Sequence, residues 1–208
     1  LVEQGYDALN VDVGCYDSHY WNHPTVYSKD GLYLPYAEAV RKTVNVPVLC
    51  AGRMDDPDLA SKAVEEGKTD MVGLGRTLLA DPYYPIKLQT GKEDDICWCL
   101  NCNVGCGSKL LETGHLGCAV NPRCGYEPEQ IPSGKVDGTP NMVIVGGGPG
   151  GMEAALTASR RGYQVVLLEK SDSLGGNLKT AGKADFKYRD EKYIDYFRHA
   201  LDKSNVDV

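Results

Sequence analysis

The sequence predicts an α/β protein in which two blocks of parallel βα units flank a cysteine-rich segment. Three observations carry this prediction. Short apolar runs alternate with helical patterns over residues 1–92, six of the eight cysteines lie between residues 97 and 124, and a glycine-rich turn joins an apolar strand to a helix after residue 142. Strands that alternate with helices are typical of parallel sheets.

The first block holds three βα units, too few to close an eightfold barrel, which takes about 250 residues. We divide the chain into 1–92, a cysteine segment at 93–125, a Pro- and Gly-rich linker at 126–141, and a second block at 142–208. Both ends interrupt a predicted domain, so we expect a fragment of a longer protein. The predicted strands are 7–13, 46–50, 69–74, 142–145 and 165–168, with helices at 32–44, 57–66 and 152–161.

Composition limits the partners. The chain has 22 basic and 29 acidic residues and a net charge of −7, which argues against a nucleic-acid partner. No apolar run approaches the roughly 18 residues that span a bilayer, so no membrane association is expected. Clustered cysteines between long helix and strand patterns favour metal ligands in a reducing cytoplasm over a disulfide framework.

The glycine turn follows the apolar strand at 142–145. Gly146, Gly148 and Gly151 fit G-x-G-x-x-G, in which the glycines allow a tight turn, close approach of a pyrophosphate, and packing of the helix on the strand. A second strand ends at Glu169, where an acid accepts hydrogen bonds from ribose hydroxyls. The pattern predicts a dinucleotide site for FAD or NAD without distinguishing them; a turn that binds nothing is the alternative.

Four cysteines have the spacing C-x2-C-x3-C-x11-C: Cys99, Cys102, Cys106 and Cys118. Three ligands in one tight run with a distant fourth are typical of a [4Fe–4S] cluster, whereas structural zinc usually pairs two C-x2-C knuckles or uses histidine. Zinc, or thiols without a metal, are the alternatives, and Cys97, two residues before Cys99, could take its place as a ligand. Cys15, Cys50 and Cys124 lack such spacing and are interpreted as small buried hydrophobic residues.

Two Gly-Arg motifs follow predicted strands of the first block. Gly52-Arg53 and Gly75-Arg76 lie at carboxyl ends of strands, where the loops of a barrel often bind a phosphate. An arginine could clamp that phosphate with two hydrogen bonds, or both arginines could form surface ion pairs. The aromatic loop at residues 13–23 could likewise line a pocket or only pack over it.

Together these motifs resemble the flavin and iron–sulfur ene reductases related to 2,4-dienoyl-CoA reductase, a group that includes 2-enoate reductases and bile-acid-inducible NADH:flavin oxidoreductases. The resemblance covers essentially the whole chain. It is carried by VPVLCAGRMDDPDLA (46–60), DMVGLGRTLLADP (70–82), the four-cysteine run, CAVNP (118–122) and VIVGGGPGGMEAA (143–155).

The resemblance implies the C-terminal part of an FMN-binding (β/α)8 TIM barrel, a [4Fe–4S] segment, and the start of a Rossmann-like FAD domain. It implies an FMN site at Gly52, Arg53, Gly75 and Arg76, and a cluster held by Cys99, Cys102, Cys106 and Cys118. Tyr16 stands where 2,4-dienoyl-CoA reductase has a histidine, and is the catalytic candidate. The FAD site would comprise Gly146, Gly148, Pro149, Gly150, Gly151, Glu169, Lys170, Gly176 and Asn177.

The implied activity is transfer of electrons from NADH or NADPH through FAD and the cluster to FMN, and then to an activated C=C bond of a small molecule (an enoate, an enoyl-CoA or a bile-acid 3-oxo-Δ4 compound). Self-association is left open. An amine dehydrogenase of the trimethylamine dehydrogenase type and an electron-transfer subunit without its own substrate are the alternatives. The methylamine dehydrogenases are similar but have a shorter gap between the second and third cysteines.

Overall fold

The computed structural model describes residues 1–127 and 134–208; residues 128–133 of the predicted linker lie outside this range. The chain forms two compact units. Unit 1 comprises Leu1–Leu78 and Asn101–Asn103, and unit 2 comprises Leu79–Leu100 and Val104–Val208. The domain boundaries predicted at residues 92, 125 and 141 remain predictions.

Unit 1 contains a parallel three-stranded sheet in the order β1–β2–β3, with Leu9 opposite Val48 and Leu49 opposite Met71. Helices follow the strands, as the alternating pattern predicts. The elements are β1 (Leu9–Val11), α1 (His19–Asn22), α2 (Leu34–Arg41), β2 (Val48–Cys50), α3 (Pro57–Glu65), β3 (Met71–Val72) and α4 (Arg76–Ala80), which begins in unit 1 and ends in unit 2.

The strands of unit 1 are shorter than predicted. The prediction of 69–74 for the third strand is reduced to Met71–Val72. Thr69 instead donates its hydroxyl to the carbonyls of Val48 and Met71, both at 2.9 Å, because a threonine at a strand end can bond to the neighbouring backbone. The helix predicted from Pro57 does begin there, capped by Asp56, whose side chain accepts from the Leu59 N–H at 2.9 Å.

The core of unit 1 lies between this sheet and its helices. It is formed by Tyr33, Ala37, Val48, Cys50, Met54 and Ala63. Cys50 is buried as predicted, and burial raises its pKa to about 11. The same prediction is wrong for Cys15, which is exposed. Its Sγ lies 3.4 Å from the hydroxyl oxygen of Ser18, and this hydrogen bond lowers the pKa of the thiol.

Unit 2 contains a second parallel sheet in the order β4–β5–β6, with Met142 opposite Val165 and Val165 opposite Val206. The predicted helix begins earlier than expected, at Pro149, because proline fits the first turn of a helix. The elements are α5 (Tyr84–Gln89), α6 (Lys109–Thr113), β4 (Asn141–Val145), α7 (Pro149–Arg160), β5 (Gln164–Leu168), α8 (Leu178–Ala181), α9 (Tyr188–Asp202) and β6 (Val206–Asp207).

The core of unit 2 joins the sheet, α7 and α9 to part of the cysteine segment. Cys97, Cys99 and Val120 belong to the same buried cluster as Met152, Leu167 and Phe197. Cys124 is also buried, as predicted. The two parallel sheets confirm the predicted α/β class. Within the described ranges, no helix is long and apolar enough to cross a membrane.

Candidate functional site

A cavity of about 200 Å³ lies at the carboxyl ends of the three strands of unit 1. Residues from the loop after each strand line it: Asp12 after β1, Gly52 and Arg53 after β2, and Gly75 and Arg76 after β3. Parallel strands end at one edge of their sheet, so these separate motifs meet. The structure therefore brings together the four residues expected to bind FMN.

Gly52 has a steric reason to be glycine. Its φ is +79°, and a Cβ built there would lie 2.2 Å from the Tyr33 ring. The Tyr33 hydroxyl donates to the carbonyl of Trp21. Burial and the nearby Asp12 raise the pKa of Tyr33 to about 12, so its hydroxyl stays protonated at neutral pH.

Arg53 is 5 % exposed and has a φ of +59°, which is unusual for a residue other than glycine. Its Nη1 donates to the carbonyls of Thr25 and Ser28, and its Nη2 forms an ion pair with Asp30 at 2.6 Å. Its Nε is buried without a partner among the described residues. A phosphate oxygen in the cavity is a group that could satisfy such an orphaned donor.

Arg76 is half-buried and differs from Arg53 in its partners. Its Nη1 donates to the carbonyl of Pro24 at 2.6 Å and to Oδ1 of Asn103. Across residues 1–127 and 134–208 no hydrogen-bond partner is found for its Nε or Nη2. These two donors, together with the orphaned Nε of Arg53, fit a phosphate.

The aromatic loop contributes to the cavity in part. Asn22 and His23 line it, and the pKa of His23 is lowered by burial and by the neighbouring His19 and Arg76, which favours a neutral ring. Tyr16, the catalytic candidate, is 99 % exposed and is not among the residues that line the cavity. Its role stays a prediction.

In the described ranges, none of the four cysteines expected to hold a cluster forms a disulfide bond. Cys99, Cys106 and Cys118 belong to unit 2, and Cys102 lies on the short segment that groups with unit 1. A Cβ at Gly105 would lie 2.7 Å from the Cα of Cys118, so the turn at Val104–Ser108, which carries Cys106, packs closely on the segment that carries Cys118. Only glycine permits this approach.

Four thiols on short glycine-rich loops suit an iron–sulfur cluster in donor chemistry. Their side chains are not arranged as an assembled site: in the described part of the chain, no three His, Cys, Asp or Glu side chains are grouped so as to hold a metal ion. The cluster is therefore taken up as a proposal below.

The glycine turn of unit 2 has the predicted form. A Cβ at Gly151 would lie 1.9 Å from the carbonyl oxygen of Gly146, so the third glycine is needed where α7 packs on β4. A Cβ at Gly148 or Gly150 would meet no atom within 4 Å. The backbone is thus open beside the N-terminus of α7, where a pyrophosphate could approach its N–H groups.

Glu169 lies against this turn. Its carboxylate accepts from the N–H of Gly147 at 2.7 Å and from the N–H and hydroxyl of Ser171 at 2.9 and 2.8 Å. These hydrogen bonds lower the pKa of Glu169 to about 2. Gly176 also approaches the turn, with its Cβ position 3.1 Å from the Cα of Gly148, whereas Lys170 and Asn177 are exposed.

Sequence reasoning missed several residues of unit 1. Asp12 lines the cavity, Asp30 pairs with Arg53, and Asn103 accepts a hydrogen bond from Arg76. Of these three residues, only Asn103 could have been suspected from the sequence. It and Asn101 flank Cys102 in the sequence, and both have positive φ, +55° and +53°, a conformation that asparagine tolerates better than most residues.

Two families of known proteins match successive regions of the chain, in the order that the sequence motifs predict. Residues 6–95 match the NADH:flavin oxidoreductase / NADH oxidase family, and residues 141–201 match the FAD dependent oxidoreductase family. Cinnamate reductase of Clostridium sporogenes is 48 % identical over 208 residues, which is all of this chain and 31 % of that protein.

Two solved structures cover nearly the whole chain. The complex of 2-naphthoyl-CoA reductase with 2-naphthoyl-CoA is 34 % identical, with a TM-score of 0.88 over 98 % of this chain and 31 % of the other. Histamine dehydrogenase from Rhizobium sp. 4-9 is 26 % identical, with a TM-score of 0.84 over 97 % of this chain and 30 % of the other.

The chain spans about a third of the length of the curated relatives it matches. Unit 1 supplies three parallel βα units of a (β/α)8 barrel, and unit 2 the first βαβ unit of a Rossmann-like domain, as the sequence predicted. Residues 6–95 therefore belong to the NADH:flavin oxidoreductase / NADH oxidase family, and residues 141–201 to the FAD dependent oxidoreductase family, so the chain is part of a flavin oxidoreductase similar to cinnamate reductase and 2-naphthoyl-CoA reductase.

Proposed function

We propose that the protein containing this chain is an NAD(P)H-dependent flavin and iron–sulfur ene reductase that saturates the activated C=C bond of a small molecule. The substrate class favoured is an enoate, with enoyl-CoA and bile-acid 3-oxo-Δ4 compounds as further members. The observation that carries the proposal is the 48 % identity with cinnamate reductase over every residue of the chain.

The residues of unit 1 would bind the phosphate of FMN. Arg76 offers Nε and Nη2, and Arg53 offers its buried Nε, at a cavity whose edge is formed by Gly52 and Gly75. Two guanidinium groups would neutralise the phosphate and orient it. The main-chain partners of Arg53 would hold that side chain in place before the flavin binds.

In unit 2 the glycine turn and the N-terminus of α7 would bind the pyrophosphate of FAD, and Glu169 would accept from a ribose hydroxyl. Cys99, Cys102, Cys106 and Cys118 would ligate a [4Fe–4S] cluster. Bound at these residues, the flavins would supply two-electron chemistry toward NAD(P)H and the alkene, and the cluster would supply single-electron transfer.

The test uses the full-length protein that contains this chain, without oxygen, on a panel of enoates, enoyl-CoAs and methylated amines. We expect NAD(P)H to be oxidised only with an unsaturated acid or thioester, with the saturated product formed in equal amount. Oxidation of an amine with reduction of an external acceptor would instead support the amine dehydrogenase. Flavin reduction by NAD(P)H with turnover of no substrate would support the electron-transfer subunit.

Six of the eight cysteines cluster between residues 97 and 124 as candidate metal ligands, which favours a reducing compartment, so we place the protein in the cytoplasm. Fractionation of the source cells, followed by detection of the protein with an antibody, tests this placement. Recovery from an extracytoplasmic fraction would contradict it.

A further inference from the structure

We propose that Asn103 is a positioning residue that holds Arg76 for the flavin phosphate and so couples phosphate binding to the order of the loop that carries Cys102. This inference rests on the proposed FMN site. It concerns a segment, Asn101–Asn103, that lies far along the chain from the other residues of unit 1 yet groups with them.

Hydrogen bonds from its backbone and side chains join this segment to the rest of unit 1. The carbonyl of Asn101 accepts from the N–H of Val26 at 3.0 Å. The side chain of Asn103 uses both ends of its amide: Nδ2 donates to the carbonyl of His23 at 2.8 Å, and Oδ1 accepts from Nη1 of Arg76. Asn103 thereby bridges the loop after β1 and the loop after β3.

The backbone explains why an asparagine can do this. Asn101 and Asn103 have φ values of +53° and +55°, on either side of Cys102. In this left-handed conformation most side chains are strained, whereas asparagine adopts it more readily. Asn101 is only 2 % exposed, so it anchors the segment, whereas the adjacent Cys102 is exposed at the surface.

The hydrogen bond from Arg76 to Asn103 matters because it helps to orient the Arg76 guanidinium group. Pro24 O and Asn103 Oδ1 both accept from Nη1, which orients the planar guanidinium and leaves Nε and Nη2 for a phosphate. An arginine fixed in this way loses less conformational freedom when an anion binds. Conversely, a bound phosphate would restrict Arg76 and, through Asn103, the segment that carries Cys102.

The experiment compares FMN with riboflavin, which lacks the phosphate, as ligands of the FMN-depleted full-length protein. The variants are Asn103→Gly, Arg76→Ala and the double variant. Glycine is chosen because it tolerates the positive φ, so the amide is removed without strain. Asn205→Gly is the matched control, since Asn205 is an exposed turn residue of unit 2.

We expect Asn103→Gly to lower the preference for FMN over riboflavin about 10-fold, in the range for a charge-assisted hydrogen bond, with riboflavin affinity unchanged. The double variant should lose no more than Arg76→Ala alone, because the effect passes through Arg76. Additive losses, or equal losses for FMN and riboflavin, would overturn the proposal. No effect of Arg76→Ala on the preference would instead reject the FMN site itself.

Hydrogen exchange over residues 100–106 tests the coupling without enzyme activity. FMN should slow exchange in this segment more than riboflavin does, and the difference should vanish in Asn103→Gly. The same protection with both ligands would overturn the coupling. If Asn103→Gly does not fold, Asn103→Asp serves: its added negative charge beside the phosphate should weaken FMN and spare riboflavin, and unchanged FMN binding would overturn the proposal.

Discussion

At the scale of single residues, Arg53 and Arg76 occupy equivalent places after neighbouring strands but differ in what they bind. Arg53 is almost fully buried and bonds to the loop at residues 25–30, whereas Arg76 is half-buried with two donors uncommitted among the described residues. The sequence left phosphate binding and surface ion pairing open. The structure excludes a surface location for Arg53, whose ion pair with Asp30 is buried on the arginine side.

We predict that Arg53→Ala and Arg76→Ala weaken FMN far more than FAD. Each removes charge-assisted hydrogen bonds to phosphate, worth about 10- to 100-fold in affinity. Flavin released from each purified full-length variant is separated and quantified. Arg53→Ala should also lower thermal stability more than Arg76→Ala does, because Arg53 is 5 % exposed and its loss removes hydrogen bonds to the carbonyls of Thr25 and Ser28. Equal loss of both flavins would contradict the assignment of these arginines to FMN.

Glu169 shows how hydrogen bonds from a short loop can favour the charged form of a partly exposed acid. Three hydrogen bonds to its carboxylate lower its pKa to about 2, so the folded protein favours the charged form. Any stabilisation from this source is complete above the ordinary carboxyl pKa, about 4.3, and is lost as the pH falls toward 2. At neutral pH the acceptor expected for the ribose is fully charged.

We predict that Glu169→Ala weakens FAD binding about 10- to 100-fold and leaves FMN bound. Glu153→Ala is the matched control, because Glu153 lies on α7 of the same unit and pairs with Arg160 instead. The FAD affinity of the unmodified protein should show no titration of this acid between about pH 8 and pH 5. An affinity step near pH 4.5, or equal effects of the two substitutions, would contradict the role given to Glu169.

At the scale of elements, unit 2 fastens the start of the cysteine segment with buried polar groups. Asp81, 3 % exposed, accepts from the N–H of Cys97 at 2.9 Å and pairs with Lys87, which also donates to the carbonyl of Asp95 at 2.7 Å. From α9, Arg189 is 2 % exposed and donates to the carbonyl of Cys99 at 3.2 Å. The backbone on both sides of Trp98 is therefore held before any metal binds.

We predict that Asp81→Ala lowers the free energy of local opening at residues 95–99 by about 1–3 kcal/mol, because the buried N–H of Cys97 loses its acceptor and Lys87 loses its ion-pair partner. Native-state hydrogen exchange of the full-length protein measures this. Asp195→Ala is the control: Asp195 is largely exposed and pairs with Arg198, so its loss should cost less than about 1 kcal/mol. Similar effects of the two substitutions would contradict this account of the segment.

At the scale of the whole molecule, the proposed order along the chain is a region that would bind the FMN phosphate, a cysteine segment, and a region that would bind FAD. We predict about four iron and four sulfide ions per chain in the full-length protein when it is purified without oxygen. Elemental analysis measures both. Stoichiometric zinc without sulfide would show that Cys99, Cys102, Cys106 and Cys118 serve a structural metal instead.

We also predict that Cys102→Ala uncouples the two flavins without removing either. NADH should still reduce FAD, and dithionite should still drive reduction of the alkene. Alkene reduction with NADH should fall by orders of magnitude, because the single-electron carrier between the NADH reaction and the alkene reaction would be missing. Rapid-mixing absorbance follows each step. A variant that lacks the cluster, keeps both flavins and reduces the alkene with NADH at the normal rate would disprove the relay.

The sequence by itself determined the α/β class, the parallel strands, the glycine turn with Glu169, and the order of the three regions. These features depend on local chemistry: the alternation of apolar runs, glycines where backbone must approach backbone, and an acid at a fixed distance along the chain.

Only the tertiary structure decided which residues meet. It exposed Cys15 and Tyr16, buried Arg53 against Asp30, and joined Asn103 to Arg76. The physical reason is that these hydrogen bonds and this burial depend on segments up to 80 residues apart, as between Asn103 and His23. A sequence motif gives only the spacing of residues along the chain. These contacts depend instead on which loops the tertiary structure brings together.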